Sequence, residues 1–140
     1  MIISGNKHED KRGTVRFIND FQFEGVKRFY SINHSSTEII RAWQGHKVET
    51  KWFFVAKGSF LFNWIKLDNW ETPSRELVIQ SKLLADSKSE ILMIEGGHVT
   101  GLKATKPDSV LIVFSDKTLE ESKEDDYRFH LDYWQFQNPS

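Results

Sequence analysis

Short segments in which hydrophobic and polar residues alternate recur along the chain, with turn signals roughly every eight to twelve residues. Within 26–32, for example, Arg28, Tyr30 and Ile32 fall on one face of a strand and Phe29 on the other. No segment has the pattern of a long helix, so the pattern predicts an all-β sandwich or barrel, of which the jelly roll is one common form. The predicted strands are 15–18, 26–32, 47–55, 59–67, 76–84, 91–94, 99–104 and 110–114.

Three segments carry further expectations. Segment 59–67 is apolar on both faces, which predicts a strand buried between two sheets. Segment 119–126 is acidic and is expected to be a solvated loop or short helical turn. Segment 127–136 is too aromatic for a free tail, so we expect it to dock on the body of the protein or on a second subunit.

The composition of the chain excludes several classes of function. Its 140 residues suit one domain, 1–140. The 19 basic and 20 acidic residues nearly balance, which argues against nucleic acid or an acidic membrane surface as partner. Because cysteine is absent, disulfides, thiolate catalysis and cysteine-based zinc sites are excluded. The residues at 1–7 lack the apolar segment of a signal peptide and no stretch is apolar enough to span a bilayer, so we expect a cytoplasmic protein.

Segment 41–52 concentrates the candidate chemistry, because it combines cations, a histidine, a carboxylate and two tryptophans. Ionisable side chains beside large aromatic rings are costly to bury in a plain core, and they suit a pocket for a polar, partly planar ligand. The alternative is that Lys47, Glu49 and Lys51 form a solvated strand face with weak ion pairs.

The histidine spacing predicts no metal site, since no two histidines have the close spacing of metal ligands. Gly96-Gly97 reads as a turn, because a phosphate loop would need a lysine and a following helix. Proton chemistry remains. His46 has an ordinary pKa suited to general acid–base catalysis near neutral pH, and Tyr30 could donate or relay a proton. Arg41, Lys47 and Lys51 could bind an anion such as a diphosphate. Trp43 or Trp52 could stack on a sugar or base.

Six segments together resemble the cupin-type dTDP-sugar 3,4-ketoisomerases, the WxcM-like group, which are related to the dTDP-4-dehydrorhamnose 3,5-epimerases. The resemblance covers nearly the whole chain, although no single motif is long. It also includes Tyr133 near the end. The segments are 27–32 (KRFYSI), 41–47 (RAWQGHK), 57–60 (KGSF), 94–97 (IEGG), 109–116 (SVLIVFSD) and 125–129 (DDYRF).

The resemblance implies a homodimeric cupin jelly roll in which subunits can exchange N-terminal strands. It implies an active site inside the barrel, no metal or other cofactor, and a dTDP-linked 4-keto-6-deoxy sugar as substrate. A proton would move between adjacent sugar carbons through an enediol-type intermediate. In the motif Arg-Gly-x-His-Ala-His-Lys, Arg41, His46 and Lys47 match, and Tyr30 falls where the family has an active-site tyrosine.

Two departures from the family pattern bear on mechanism. Gln44 stands at the first histidine of the motif, with Ala42 at its glycine, and Thr100 stands where a later histidine is expected, while His98 is displaced by two residues. A glutamine cannot act as a general base, so either His46 transfers the proton with Tyr30 as partner, or the reaction differs, or catalysis has been lost.

The main hypothesis is therefore a nucleotide-sugar isomerase or epimerase of deoxysugar and cell-surface polysaccharide biosynthesis. The alternative is a non-catalytic cupin protein that binds a nucleotide sugar or glycan. A further possibility is a domain in which these residues only support the fold and the dimer. The candidate site residues are His46 and Tyr30 for catalysis, and Arg41, Trp43, Gln44, Lys47, Lys51 and Trp52 for substrate binding.

Overall fold

The alternating segments of the chain form antiparallel strands in the computed structural model, which describes residues 1–139. A short helix, α1 (Leu119–Lys123), and a single 3₁₀ turn (Leu131–Tyr133) accompany them. None of the helices in residues 1–139 is long and apolar enough to cross a membrane. The strands are β1 (Ile2–Ser4), β2 (Asn6–Asp10), β3 (Gly13–Phe17), β4 (Arg28–His34), β5 (Ile40–His46), β6 (Lys51–Lys57), β7 (Ser59–Lys66), β8 (Gln80–Ala85), β9 (Glu90–Ile94), β10 (His98–Ala104), β11 (Ser109–Ser115) and β12 (Tyr127–Arg128).

Two five-stranded sheets face each other across the main core. The first has the order β1-β9-β6-β11-β4 and the second the order β12-β5-β10-β7-β8, while β2 and β3 form a separate hairpin. Side chains from the inner faces of both sheets fill the space between them, which confirms the predicted all-β jelly roll. The central members of this core are Phe53, Val55, Phe60, Phe62, Leu92, Leu102, Leu111 and Val113.

A second core lies on the outer face of the second sheet. There the C-terminal segment packs on Trp43, Ile65 and Val99, with Trp134 at its centre. The segment therefore docks on the body of the protein, which was the first of the two predicted possibilities. It also explains why β7 is apolar on both faces: the prediction that β7 lies between two sheets is wrong, because its outer face is covered by this segment.

Two predicted strands begin four residues later than the sequence indicated. Strand β6 begins at Lys51, because the backbone N–H groups of Lys47, Val48 and Glu49 donate to the carboxylate of Asp125 instead of to a strand. Strand β8 covers only Gln80–Ala85, and the apolar residues just before it pack on the second core. The strands β1, β2, β5 and β12 were not predicted from the sequence.

Candidate active site

A cavity of about 430 Å³ opens between the two sheets, within the range typical of small-molecule sites. Its walls come from β4 and β6 of the first sheet and from β5 and β10 of the second, with β12 and the residue after it at one side. Its mouth continues towards α1, where Arg28 and Lys123 add positive charge. The polar residues on its walls are Tyr30, Arg41, Gln44, His46, Lys51, Thr100 and Arg128.

A β-bulge in β5 decides which residues of that strand face the cavity. Gln44 pairs with Thr100 and Arg41 pairs with Leu102. Between these two pairs β5 advances by three residues and β10 by two, so β5 contains one extra residue. In a regular strand, Arg41 and Gln44 would point to opposite faces, because their spacing is odd. The bulge restores Arg41 to the cavity side, together with Gln44 and His46, and turns Trp43 to the outer face.

His46 is held in one tautomer by its surroundings. Its Nδ1 lies 2.6 Å from the backbone carbonyl oxygen of Asp125, and because a carbonyl only accepts, Nδ1 carries the proton. Nε2 therefore has a free lone pair, and it has no hydrogen-bond partner among residues 1–139. Burial lowers the pKa of His46 below its ordinary value, and Lys51 lowers it further. The ring is thus neutral near pH 7 and can accept a proton at Nε2.

Glu49 is a buried carboxylate directly behind this histidine. Its Oε1 lies 3.4 Å from Nδ1 of His46 and accepts a hydrogen bond from Ser122, and its Oε2 accepts one from Ser115 and one from Arg28. Burial opposes ionisation of Glu49, but these hydroxyl donors, helped by nearby positive charge, outweigh it and hold the pKa of the carboxyl below its ordinary value. A negative charge is therefore fixed where it stabilises a protonated His46.

Asp125 organises the turn that carries Glu49. Its carboxylate accepts hydrogen bonds of 2.7, 2.9 and 2.9 Å from three consecutive backbone N–H groups at 47–49, while its own carbonyl orients His46. The expectation of a solvated acidic segment is wrong at this residue, because Asp125 is only 6% exposed. The solvated-face alternative for the central stretch is wrong as well, since Glu49 and Lys51 are 2% and 8% exposed.

Positive charge surrounds the cavity and its mouth. Lys51 lies on the wall with its Nζ 5.8 Å from the ring centre of Tyr30, and Arg28 approaches the same ring at 5.1 Å. Arg41 and Arg128 stand at the entrance. This arrangement suits an anionic ligand, because a cluster of cations in a partly closed cleft raises the local concentration of anions.

Two of the predicted site residues, Trp52 and Lys47, lie away from the cavity, and a third, Trp43, borders it but turns its indole away. Trp43 is buried in the second core, where its indole N–H donates to the carbonyl oxygens of Leu131 and Trp134. Trp52 points to the outer face of the first sheet, next to Phe21. Lys47 is exposed beside Tyr127, with its Nζ 4.9 Å from the ring centre.

The two positions that depart from the family pattern meet inside the cavity. Gln44 and Thr100 are direct cross-strand partners on its wall, and the amide nitrogen of Gln44 donates to Asp126 at 3.1 Å. His98 does not join them, because its Nδ1 bonds to the carbonyl oxygen of Glu95. Within residues 1–139, no three histidine, aspartate or glutamate side chains lie close enough to hold a metal ion.

The sequence reasoning did not select Glu49, Asp125 or the two serines as functional residues. Glu49 lies within the segment 41–52 that concentrates the candidate chemistry, but the sequence does not show that its side chain is buried next to cations. Asp125, Ser115 and Ser122 reach the site from more than 60 residues further along the chain. Ser115 and Asp125 stand in two of the segments that resemble the family, but their residue types alone do not indicate burial or contact with Glu49.

Comparison with solved structures finds the same architecture in sugar-modifying enzymes. QdtA from Thermoanaerobacterium thermosaccharolyticum, a sugar 3,4-ketoisomerase in complex with TDP, is 21% identical, covers 95% of this chain and 90% of its own, and has a TM-score of 0.70. The TDP-quinovose 3,4-ketoisomerase WlaRB from Campylobacter jejuni is 17% identical, with 95% of both chains covered and a TM-score of 0.69.

A dTDP-4-dehydrorhamnose 3,5-epimerase from Bacillus anthracis, with TDP and PPi bound, is 14% identical, covers 99% of this chain and 86% of its own, and has a TM-score of 0.75. No protein-family model and no curated protein sequence matches the chain. The structural likeness extends over nearly the whole length of each chain. The protein therefore has the cupin jelly-roll fold that sugar 3,4-ketoisomerases and 3,5-epimerases share.

Proposed function

We propose that this protein is an isomerase or epimerase that acts on a dTDP-linked 4-keto-6-deoxy sugar by proton transfer. The observation that carries the proposal is the state of His46: its Nδ1 donates to the Asp125 carbonyl, which leaves the Nε2 lone pair unpartnered in a residue that lines the cavity. A neutral imidazole fixed in this way is a general base. The nucleotide ligands in the similar structures support the substrate class.

The first step moves a proton from the carbon next to the ketone to Nε2 of His46. The electrons of the broken C–H bond form the enolate, whose oxygen becomes negative, and Lys51 is the buried cation on the wall that can stabilise it. The imidazolium that forms is stabilised by Glu49 behind it. In an epimerisation, Tyr30 on the opposite sheet gives its proton to the same carbon from the other side, after which His46 loses its proton to solvent and Tyr30 regains one. In a ketoisomerisation, the hydroxyl proton of the reacting carbon moves to the enolate oxygen, and His46 returns its proton to the former ketone carbon.

The remaining cations would hold the diphosphate of the substrate. Arg41 stands at the mouth, where the two terminal nitrogens of its planar guanidinium can bind phosphate oxygens with two parallel hydrogen bonds. Arg128 stands beside it, but its Nε and Nη2 donate to Asp126, so Nη1 is the nitrogen it can offer to a phosphate. Gln44 on the wall would contact the sugar. Trp52 and Lys47 stay outside this proposal because they do not line the cavity, and Trp43 stays outside it because its indole is buried in the second core.

We also propose a homodimer, because an apolar surface on the first sheet is exposed. Phe29 and Phe23 are 72% and 63% exposed and lie next to Phe114 and Ile112. Sedimentation of the wild type and of Phe29→Ser tests this: the wild type should sediment as a dimer and the variant should dissociate more readily. We further propose that the protein is cytoplasmic, and cell fractionation tests this location.

Proton NMR of dTDP-4-keto-6-deoxyglucose with the protein in heavy water tests the function. Loss of a ring-proton signal is expected, and the position that is lost distinguishes ketoisomerase from epimerase chemistry. His46→Ala should abolish the exchange while dTDP still raises the melting temperature, because a ligand that binds only the native state stabilises it. Binding of dTDP without exchange in the wild type would instead favour the non-catalytic alternative. The absence of both exchange and a melting shift would contradict the substrate class.

A further inference from the structure

His34 lies at the edge of the candidate site and has no role in the proposed chemistry. It ends β4, on the same face as Tyr30 and Ile32, which line the cavity. It is 6% exposed, and its ring packs at 5.5 Å from the ring of Phe60. His34 does not itself line the cavity, and a histidine buried beside it calls for an explanation.

The single hydrogen bond of this ring goes to a site residue. Nε of Arg41 donates to Nε2 of His34 at 2.8 Å, which joins β5 of the second sheet to β4 of the first. Since arginine is always a donor, Nε2 must be unprotonated, and the ring proton sits on Nδ1, which is buried without a partner among residues 1–139. Burial lowers the pKa of His34, and the charge of Arg41 lowers it further, so the ring is neutral near pH 7.

An unpartnered buried N–H is costly, so a ring that was needed only to fill space would be better replaced by an apolar side chain. What the histidine supplies is an acceptor for Arg41. Arginine has several rotatable bonds and stands at an open mouth, where it would otherwise sample many conformations. With Nε engaged, the guanidinium is fixed and its two terminal nitrogens remain available for a ligand.

We propose that His34 is a positioning residue, which orients Arg41 so that the terminal nitrogens of its guanidinium present a preformed site for the diphosphate of the substrate. The proposal rests on the function proposed above, in which Arg41 binds that diphosphate. It assigns to His34 no contact with substrate. Removing its acceptor should therefore weaken nucleotide binding, while the proton-transfer step at His46 keeps its rate.

Binding of dTDP to four proteins tests whether His34 acts through Arg41. The variants are His34→Leu, which removes the acceptor and keeps apolar bulk, Arg41→Met, and the double variant. We expect His34→Leu to weaken dTDP binding about tenfold, since the arginine must then be ordered on binding. In the Arg41→Met background the same change should have no further effect, because the two residues act as one unit.

A conservative variant separates positioning from a structural role. His34→Gln keeps an acceptor oxygen at nearly the reach of Nε2, so its dTDP affinity should stay within about threefold of the wild type. In turnover, His34→Leu should raise KM while kcat stays within about threefold. Unchanged affinity in His34→Leu, or an equal loss of affinity in both arginine backgrounds, would overturn the proposal.

Nitrogen NMR of the His34 ring, without any ligand, decides the proposal independently of the function. The wild type should show a proton on Nδ1 and a bare Nε2 at neutral pH, and Arg41→Met should raise the pKa of the ring. If dTDP fails to bind the wild type while this signature is present, the proposed function fails and the His34–Arg41 unit stands. If the ring instead carries its proton on Nε2, or if Arg41→Met leaves the pKa of His34 unchanged, the proposed positioning role is refuted.

Discussion

Glu49→Gln tests whether the carboxylate behind His46 takes part in proton transfer. The change removes one negative charge and keeps the size of the side chain. Glu49 is 2% exposed and does not line the cavity, so substrate contacts should survive. The variant therefore separates an effect on the base from an effect on binding.

The size of the effect follows from the distance between the two groups. At 3.4 Å from Nδ1 of His46, and with an effective dielectric constant of about 20, a carboxylate stabilises an imidazolium by about 5 kcal/mol. If about half of the proton charge has reached His46 in the transition state, about half of this energy acts on the rate. We therefore expect kcat to fall by roughly 50- to 100-fold.

The pH profile should move in a direction that ordinary damage to the site would not produce. Burial is the largest cause of the low pKa of His46, and Lys51 adds to it, whereas Glu49 opposes both. Loss of the Glu49 charge therefore lowers the pKa of His46 further. Since the base works only when neutral, activity is lost as pH falls through this pKa, and the acid limb of Glu49→Gln should lie at lower pH than that of the wild type.

Ring-proton exchange in heavy water, measured from mildly acidic to neutral pH, provides the assay. Glu9→Gln is the matched control, because Glu9 sits in an exposed ion pair with Lys7 and should change neither kcat nor the profile. Affinity for dTDP should remain close to that of the wild type in both variants. A fall in kcat of less than threefold, or an acid limb displaced to higher pH, would refute the reasoning.

Three substitutions test the supports of the site. Trp134→Ala should lower the free energy of unfolding by about 3–5 kcal/mol in denaturant titrations, because it empties the centre of the second core, where the indole is 2% exposed; a loss under about 1 kcal/mol would contradict this. Asp125→Asn should cost about 2 kcal/mol and slow turnover, since an amide cannot accept from all three N–H groups at 47–49; an unchanged melting temperature would count against the account. Gly45→Ala should lower the free energy of unfolding by about 1–3 kcal/mol, because the added Cβ would lie 2.7 Å from the ring of Trp70; a melting curve equal to that of the wild type would contradict this, because the ring would then move aside without cost.

The alternation of side chains predicted most of the strands and the orientation of β4. Strand pairing requires only local residue types and a buried face, and both are visible in the sequence. Arg28, Tyr30 and Ile32 share the inner face for this reason, with Phe29 outside. Four strands escaped prediction: β1 and β12 are only three and two residues long, β2 is exposed along its whole length, and the bulge in β5 interrupts its alternation.

Alternation alone places Trp52 on the face opposite Lys51 and Trp43 on the face opposite Gln44, so assigning both tryptophans to the substrate went against the pattern. Alternation does not reveal the bulge in β5, which brings Arg41 to the same side as Gln44 and depends on the partner strand as much as on its own residues. The C-terminal segment that buries Trp43 then joins from about 90 positions away. The same limit applies to Glu49: its burial depends on hydroxyl groups of Ser115 and Ser122, which sequence distance hides.

The departures at Gln44 and Thr100 change the chemistry of one wall without dismantling it. The two residues face each other across β5 and β10, and Gln44 is held by Asp126, which in turn pairs with Arg128. The amide and the hydroxyl can hold sugar hydroxyls or the ketone but cannot carry a proton at neutral pH. In the proposed mechanism, proton transfer on this wall therefore falls to His46, while Tyr30 stands on the opposite sheet.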